Sequence, residues 1–413
     1  MISPLSTLKK CRLATLACCF GMLLSFGSCG SSATSPESVN RREVKAPAAA
    51  TQLNVYVENS GSMDAYVAGN TRFKADLYSL LADLQQRAGI KQSRFAYINS
   101  AVSPFDGDLR DFILTLTPAT FAQRRAGSSN TDIPAIIKRV LDERKAGQLA
   151  VLVSDFILAG GADQSWATAQ TAVRSAIYAH KEKHPGLGVM IFRLQSDYNG
   201  KYYHTAGNMP FAGQRPYFLW IMGDESALAA LRDAKVLGKL AGKDVQSWAQ
   251  QAGEIKTKAF VINQSGDFDM SSSDRERRAI SNLALRNGKA TFKVAADFAP
   301  LLLDDAYLCN PANYALNERM GYEVAAVERV TGKPYTHVLT ISAPRVAAGQ
   351  LDIRLLNRLP EWHRQHSDDQ GGPLTPATAG KTVGWEALAQ AVFDAYNPDG
   401  ESTMTTISIS INQ

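Results

Sequence analysis

Carboxyl and hydroxyl side chains of the kind that bind hard metal ions occur in three separate segments of this 413-residue sequence. The first segment holds Glu58, Ser60 and Ser62, the second holds Thr131, and the third holds Asp155. Side chains that offer only oxygen atoms, completed by water, suit Mg²⁺ in an octahedral shell, with Mn²⁺ and Ca²⁺ as related hard ions. The sequence therefore indicates a divalent-cation site, provided that the fold brings the three segments together.

Each segment lies beside a strand or helix that the hydrophobic pattern predicts. A short β-type run at Leu53–Val57 leads directly into Glu58, and the strongly apolar run Leu149–Val153 leads towards Asp155. Thr131 precedes a stretch with isoleucines at helical spacing. Because ligands of open α/β sheets bind at the carboxyl ends of the parallel strands, we expect the three loops to meet at one edge.

Strands and helices alternate over residues 52–235, which predicts βαβ units and a doubly wound, mainly parallel sheet of Rossmann-like type. Further strands are predicted at Ser93–Ile98, Phe112–Leu116, Leu187–Leu194 and Tyr217–Met222, and helices at Thr71–Ala88 and Asp163–His180. The strand runs are apolar on both faces, as expected when helices cover both sides of a sheet. Residues 52–235 are therefore expected to form an α/β domain.

The order of these segments resembles that of von Willebrand factor type A domains. In that family an Asp-x-Ser-Gly-Ser loop after a strand, a threonine loop before a helix and a later acidic loop form the metal-ion-dependent adhesion site. The resemblance covers about half of the mature chain. It implies that Ser60, Ser62 and Thr131 bind the cation directly, and that Asp155 is the third-loop acid. Glu58 takes the place of the first-loop aspartate.

Two residues depart from the family pattern. Glu58 replaces the aspartate and adds one methylene group, so its carboxylate must retract or reach the cation differently. Phe156 replaces a glycine that is common after the third-loop acid, and it is expected to narrow access or to add an apolar anchor beside the cation. An alternative stays open in which the site is retired, and Glu58 and Asp155 only cap helices and accept backbone hydrogen bonds.

From about residue 255 the pattern changes to strands without long helices between them. These runs predict a β-rich second domain over residues 255–413. Within it, a helix is predicted at Trp385–Tyr396 and a surface strand at Thr403–Ile411. His363 and His366 lack a nearby third ligand for zinc, so an exposed loop is favoured for them.

The N-terminal residues predict export and lipid attachment. Positive charges at residues 9–12 precede an apolar run at Leu13–Phe26, which is typical of a secretory signal over residues 1–28 and short for a membrane span. The segment that ends at Cys29 resembles a bacterial lipobox, which implies cleavage before Cys29 and acylation of its thiol and amine. Residues 29–51 are mostly small or polar and are expected to form a flexible tether.

Charge and cysteine content exclude two other classes of protein. The formal net charge is +5, and it falls to +2 without the leader cations Lys9, Lys10 and Arg12, so no nucleic-acid-binding surface is predicted. Of the five cysteines, only Cys309 lies beyond the first 30 residues. A domain held together by disulfides is therefore excluded.

Together these features predict a lipid-anchored binding or adhesion-type protein of the bacterial cell envelope, not an enzyme. Its cation would engage a carboxylate on a protein or glycan partner. Gly30 after Cys29 resembles outer-membrane sorting in Gram-negative bacteria, facing either the periplasm or the cell surface. None of the six histidines has a local pattern that ties it to the Ser60 loop as a general base. The alternatives are a metal-assisted envelope hydrolase and a scaffold whose metal site does not function.

Overall fold

The structure, a computed structural model, describes residues 50–127, 131–158, 165–204, 207–234, 236–240 and 245–413. The predicted signal peptide, the lipid-modified Cys29 and nearly all of the tether lie outside the described residues and stay predictions. The described residues all belong to one compact unit. The domain limits at residues 235 and 255 also stay predictions. Within the described ranges, every helix is too short or too polar to traverse a bilayer.

A seven-stranded sheet organises the first half of the described chain. Its strands are β1 (Gln52–Glu58), β2 (Gln92–Ile98), β3 (Val102–Phe105), β4 (Gln148–Ser154), β5 (Leu187–His204), β6 (Gly207–Asp224) and β7 (Gln246–Gln250). Their order in space is β3-β2-β1-β4-β6-β5-β7, and β1 is parallel to both of its neighbours. The other pairs are antiparallel, so β1, β2, β4 and β5 point the same way. Four of the seven strands thus share one direction, and the prediction of an α/β protein with a mainly parallel central sheet is confirmed.

Helices cover both faces of this sheet, because each helix has one apolar face. They are α1 (Arg72–Arg87), α2 (Leu109–Thr115), α3 (Pro118–Arg124), α4 (Ile133–Glu143), α5 (Trp166–Lys183) and α6 (Glu225–Asp233). The buried leucines of α1 belong to the core on one face, and the buried isoleucines of α4 and α5 belong to the core on the other. Strands between two helical layers are buried on both sides, as β1 and β4 are.

The predicted strand at Phe112–Leu116 is wrong, because most of this segment belongs to α2. Asp108 begins the helix, and its side chain accepts a hydrogen bond from the backbone amide of Asp111 at 2.9 Å. Only Leu109 and Phe112 of α2 are buried, which is the spacing of one helical stripe. The edge position next to β2 is taken instead by β3.

Strands β5 and β6 form a hairpin that is much longer than its predicted strands. They pair antiparallel from Leu187 and Asp224 at one end to His204 and Gly207 at the other. Only the first part of β5 pairs with β7, and only the last part of β6 pairs with β4. Residues 195–204 and 207–216, here called the hairpin arm, therefore extend beyond the sheet on the side where β4 ends.

The second half of the described chain is rich in strands, as predicted. They are β8 (Lys258–Val261), β9 (Ala279–Ser281), β10 (Ala290–Asp297), β11 (Tyr314–Ala315), β12 (Glu323–Arg329), β13 (His337–Ala343), β14 (Gly349–Asn357), β15 (Ser367–Asp368), β16 (Thr382–Val383) and β17 (Ser402–Asn412). Two four-stranded sheets have the orders β12-β13-β10-β8 and β11-β14-β17-β9. The helices among them are α7 (Asp305–Leu308), α8 (Trp362–Gln365) and α9 (Trp385–Tyr396).

Helix α9 adds its apolar face to the core of the central sheet, next to α5. The ring of Trp385 stacks on Phe218 of β6 with 3.8 Å between the ring centroids. His363 is fully buried and stacks on Trp362 at 3.6 Å, so the favoured exposed loop at this position is wrong. We define the aromatic cluster by its members, which are Phe156, Phe218, Trp220, Trp362, His363 and Trp385.

Candidate metal centre

Oxygen-bearing side chains from the three predicted loops meet at one edge of the central sheet. Thr131 Oγ1 donates a hydrogen bond to Glu58 Oε1 at 2.6 Å, which joins the second loop to the first. Ser154 Oγ, at the end of β4, donates to Glu58 Oε2 at 2.9 Å, and Asp155 follows directly. The loops meet because β1 and β4 are adjacent and parallel, so their carboxyl ends lie side by side.

The two serines of the first loop lie on a tight turn after β1. The backbone amide of Met63 donates to the carbonyl oxygen of Ser60 at 3.2 Å, and the chain continues as a 3₁₀ helix over Ser62–Tyr66. This turn brings the hydroxyl oxygens of Ser60 and Ser62 to 2.9 Å from each other. Both side chains are buried, although neither is large or apolar.

Glu58 is enclosed, with an exposed fraction of 1%. Burial, followed by the negative charge of Asp155, raises the pKa of Glu58 to about 7. The surrounding hydroxyl groups oppose this shift, because they donate hydrogen bonds that favour the ionised carboxylate. Its partners are side-chain hydroxyls of Thr131 and Ser154, so Glu58 does not cap a helix as the retired-site alternative supposed.

Asp155 lies beside Glu58, and fewer hydrogen bonds offset the burial of its carboxylate. Its Oδ1 accepts a hydrogen bond from the backbone amide of Ile157 at 3.3 Å. Its Oδ2 is buried and has no hydrogen-bond partner among the described residues. Burial raises the pKa of Asp155, against the Ser62 hydroxyl, the Ile157 amide and the positive charge of Arg215, which lower it. A buried carboxylate oxygen without a partner is costly, at roughly 1–3 kcal/mol or more.

These residues fit a hard divalent cation by the chemistry of their donor atoms. A hydroxyl that donates its hydrogen to a carboxylate keeps its lone pairs, so Thr131 can still offer an oxygen to a metal ion. The unpaired Oδ2 of Asp155 offers another. In the described ranges, no three His, Cys, Asp or Glu side chains are grouped so that they could hold a metal ion, so carboxylates alone would not complete a shell. Hydroxyl and water oxygens would have to supply the rest.

Phe156 does not line the candidate metal centre. Its φ of 50° lies in the left-handed region, the conformation that a glycine adopts without strain. The ring is fully buried and stacks on Trp220 at 4.7 Å with an interplanar angle of 13°. The expectation that this ring narrows access or anchors a ligand is therefore wrong. Its packing offsets a backbone cost of about 1–2 kcal/mol.

The hairpin arm lies over the first loop, and the sequence pattern did not predict it. A Cβ atom on Gly61 would be 2.8 Å from the hydroxyl oxygen of Tyr203, and one on Gly200 would be 2.6 Å from Cβ of Ala65. Tyr198 also packs edge-on against Tyr66 at 5.0 Å. Glycines at both contacts allow the arm to approach closely.

Ser154 is a site residue that the sequence interpretation missed. It had a local signal, because a hydroxyl residue stands between a wholly apolar strand and Asp155. Its side chain donates to Glu58 and accepts from the backbone amide of Phe156 at 2.8 Å. Ser154 thus connects the acid of the first loop to the backbone of the third.

Three comparisons of the chain, with protein-family models, with curated proteins and with solved structures, found no match.

Proposed function

We propose that this chain is a lipid-anchored binding protein of the bacterial envelope, whose von Willebrand factor type A-like half holds Mg²⁺ or a similar cation. The cation offers an open coordination position to a carboxylate of a protein or glycan partner. One observation carries the proposal: two buried carboxyl groups, Glu58 and Asp155, lie together among hydroxyl groups, and Asp155 Oδ2 has no partner in the described part of the chain.

The electrostatics of the pair favour a bound cation at neutral pH. Two neighbouring buried carboxylates repel each other, and desolvation disfavours the ionised form of both. A divalent cation reverses both effects, because it stabilises the ionised forms and displaces protons from them. Ser60, Ser62 and Thr131 would add neutral oxygen ligands, so the two acids would balance the charge of the ion.

The second candidate is a scaffold without a working metal site, and one observation favours it. Both oxygens of Glu58 already accept hydrogen bonds, and its pKa of about 7 allows a proton to remove the repulsion instead of a cation. The two candidate functions differ in what removes the repulsion between Asp155 and Glu58: a bound cation in the first, and a proton on Glu58 in the second. A scaffold would show no gain in stability with divalent cations.

Thermal unfolding of the full-length protein in detergent separates these candidates. At pH 8, Mg²⁺ or Mn²⁺ should raise Tm relative to EDTA, and a concentration of about 100 Kd should add about 2.7 kcal/mol to the free energy of unfolding. Asp155→Asn should abolish the gain. Asp142→Asn changes an exposed carboxylate that pairs with Lys138, and it should leave the gain intact. A wild-type Tm that ignores both cations refutes the proposal.

The partner chemistry needs a separate measurement. Poly-glutamate and polygalacturonate present carboxylates on a peptide and on a glycan, and either can be flowed over immobilised full-length protein. We expect binding in Mg²⁺ that is lost in EDTA and in Asp155→Asn. Binding that persists in EDTA would show that the carboxylate is not held through the cation.

A further inference from the structure

Arg125 connects the two ends of the first loop and is not part of any predicted site. It follows α3, and its side chain is only 15% exposed. Its Nε donates to the backbone carbonyl oxygen of Asn59 at 2.7 Å, and its Nη2 donates to that of Ser60 at 3.1 Å. The same Nη2 donates to Asp64 Oδ1 at 2.6 Å. One guanidinium group therefore contacts the first loop at three residues, Asn59, Ser60 and Asp64.

These contacts fix the peptide planes that orient the two serines. A carbonyl oxygen held by a donor sets the plane of its peptide bond, and the planes that follow Asn59 and Ser60 lie on both sides of Ser60. Ser60 also accepts the turn-closing hydrogen bond from Met63. Where the Ser60 hydroxyl points, 2.9 Å from that of Ser62, depends on these planes.

We infer that Arg125 is a positioning residue for the cation site. It holds the Ser60 turn in the ligand-binding arrangement and ties it to the end of α3. This inference deepens the proposed function and rests on it. Arg125 contacts no candidate ligand oxygen through its guanidinium, since its acceptors are backbone carbonyls and the carboxylate of Asp64.

The charge of Arg125 would oppose a nearby cation if nothing neutralised it. Asp64 does so through the 2.6 Å ion pair, and Asp64 is itself held in the 3₁₀ turn after Ser62. A positioning role and a charge effect of Arg125 therefore predict opposite changes in cation affinity. If Arg125 acts by position, weakening its contacts lowers cation affinity; if its charge dominates, removing the charge raises cation affinity.

Arg125→Lys separates the two effects, because lysine keeps the charge but lacks the planar fork that donates from Nε and Nη2 together. The full-length protein is titrated with Mn²⁺ by calorimetry at pH 8. We expect Arg125→Lys to weaken Mn²⁺ binding about 10–100-fold, the usual effect of losing a group that orients metal ligands. The matched control is Arg124→Lys. Arg124 contacts Pro104 and Tyr97 and should keep wild-type affinity.

A merely structural role would lower the Tm of Arg125→Lys in EDTA and leave the Kd for Mn²⁺ unchanged, and that result overturns the inference. Tighter binding also overturns it. If Arg125→Lys does not fold, Arg125→Gln takes its place, because glutamine lacks the planar fork and also removes the positive charge, whose loss alone would strengthen cation binding. Weaker Mn²⁺ binding then supports the inference, and unchanged binding contradicts it. A wild-type chain that binds no Mn²⁺ refutes the proposed function and this inference together.

Discussion

Two buried regions adjoin at the third loop, and they differ in how they keep polar atoms inside the protein. Asp155 belongs to the candidate metal centre, where two carboxyl groups lie close together. Phe156, the next residue, belongs to the aromatic cluster. There the indole nitrogens of Trp220 and Trp385 and both ring nitrogens of His363 have no hydrogen-bond partner among the residues the structure describes.

The aromatic cluster and the candidate metal centre differ in the charge of their polar groups and in the apolar area around those groups. Each aromatic side chain buries about 150–250 Å², so the cluster can bear the cost of neutral polar atoms. Burial lowers the pKa of His363 well below its ordinary value, which keeps the imidazole neutral. The candidate metal centre has small hydroxyl residues and two acids instead. Its compensation must therefore come from a bound cation or a bound proton.

The largest expected effect comes from removing a ring of the aromatic cluster. Trp385→Ala should lower the free energy of unfolding by about 3–5 kcal/mol, measured in urea, because the ring is fully buried against Phe218. Trp385→Phe keeps an aromatic ring and should cost less. If the two regions are independent, the gain from Mg²⁺ persists in both variants. If the stabilisation by Mg²⁺ vanishes in Trp385→Phe, the two regions are not independent.

The pH dependence of the metal-free protein should show the carboxyl pair. The pKa of Glu58 is about 7 in the folded chain and about 4.5 when unfolded, so its protonation stabilises the fold fully below pH 4.5. That contribution, roughly 3 kcal/mol, is lost as the pH rises through 7. In EDTA, Glu58→Gln should remove this loss between pH 4.5 and 8. Parallel wild-type and variant curves would contradict the assigned environment of Glu58.

His363 should give a pH dependence of the opposite sign. Its pKa is lowered in the folded chain, so its contribution to stability is present above pH 6.5 and is lost as the pH falls below that value. The loss is at most about 1.4 kcal/mol per pH unit. His363→Phe should flatten this part of the unfolding curve. An unchanged slope in His363→Phe would mean that another group causes it.

The sequence predicted those parts of the site that local pattern controls. Apolar runs at β1 and β4 predicted strands of a mainly parallel sheet, and parallel strands bring Glu58 and Asp155 to the same edge. A tight turn is enough to bring the hydroxyl groups of Ser60 and Ser62 together. These inferences hold because strand pairing and turn geometry depend on a few neighbouring residues.

The parts that were missed depend on contacts between distant segments. Arg125 acts on carbonyl groups 65 and 66 residues earlier, and no spacing rule indicates that contact. His363 is buried because α8 and α9 pack onto the sheet, although Glu361, Arg364 and Gln365 around it in sequence are polar. The hairpin arm continues β5 and β6 through mostly polar residues, so apolar periodicity stops at Leu194 while the pairing continues.

The most direct test is an anomalous difference map from crystals of the protein grown with Mn²⁺. We predict a peak at the sheet edge with oxygen atoms of Asp155 and of the first-loop serines about 2.0–2.2 Å from the ion. A map with no peak there, at a Mn²⁺ concentration that saturates other oxygen-based sites, would contradict the account. A proton on Glu58 would then be what keeps the two buried acids together.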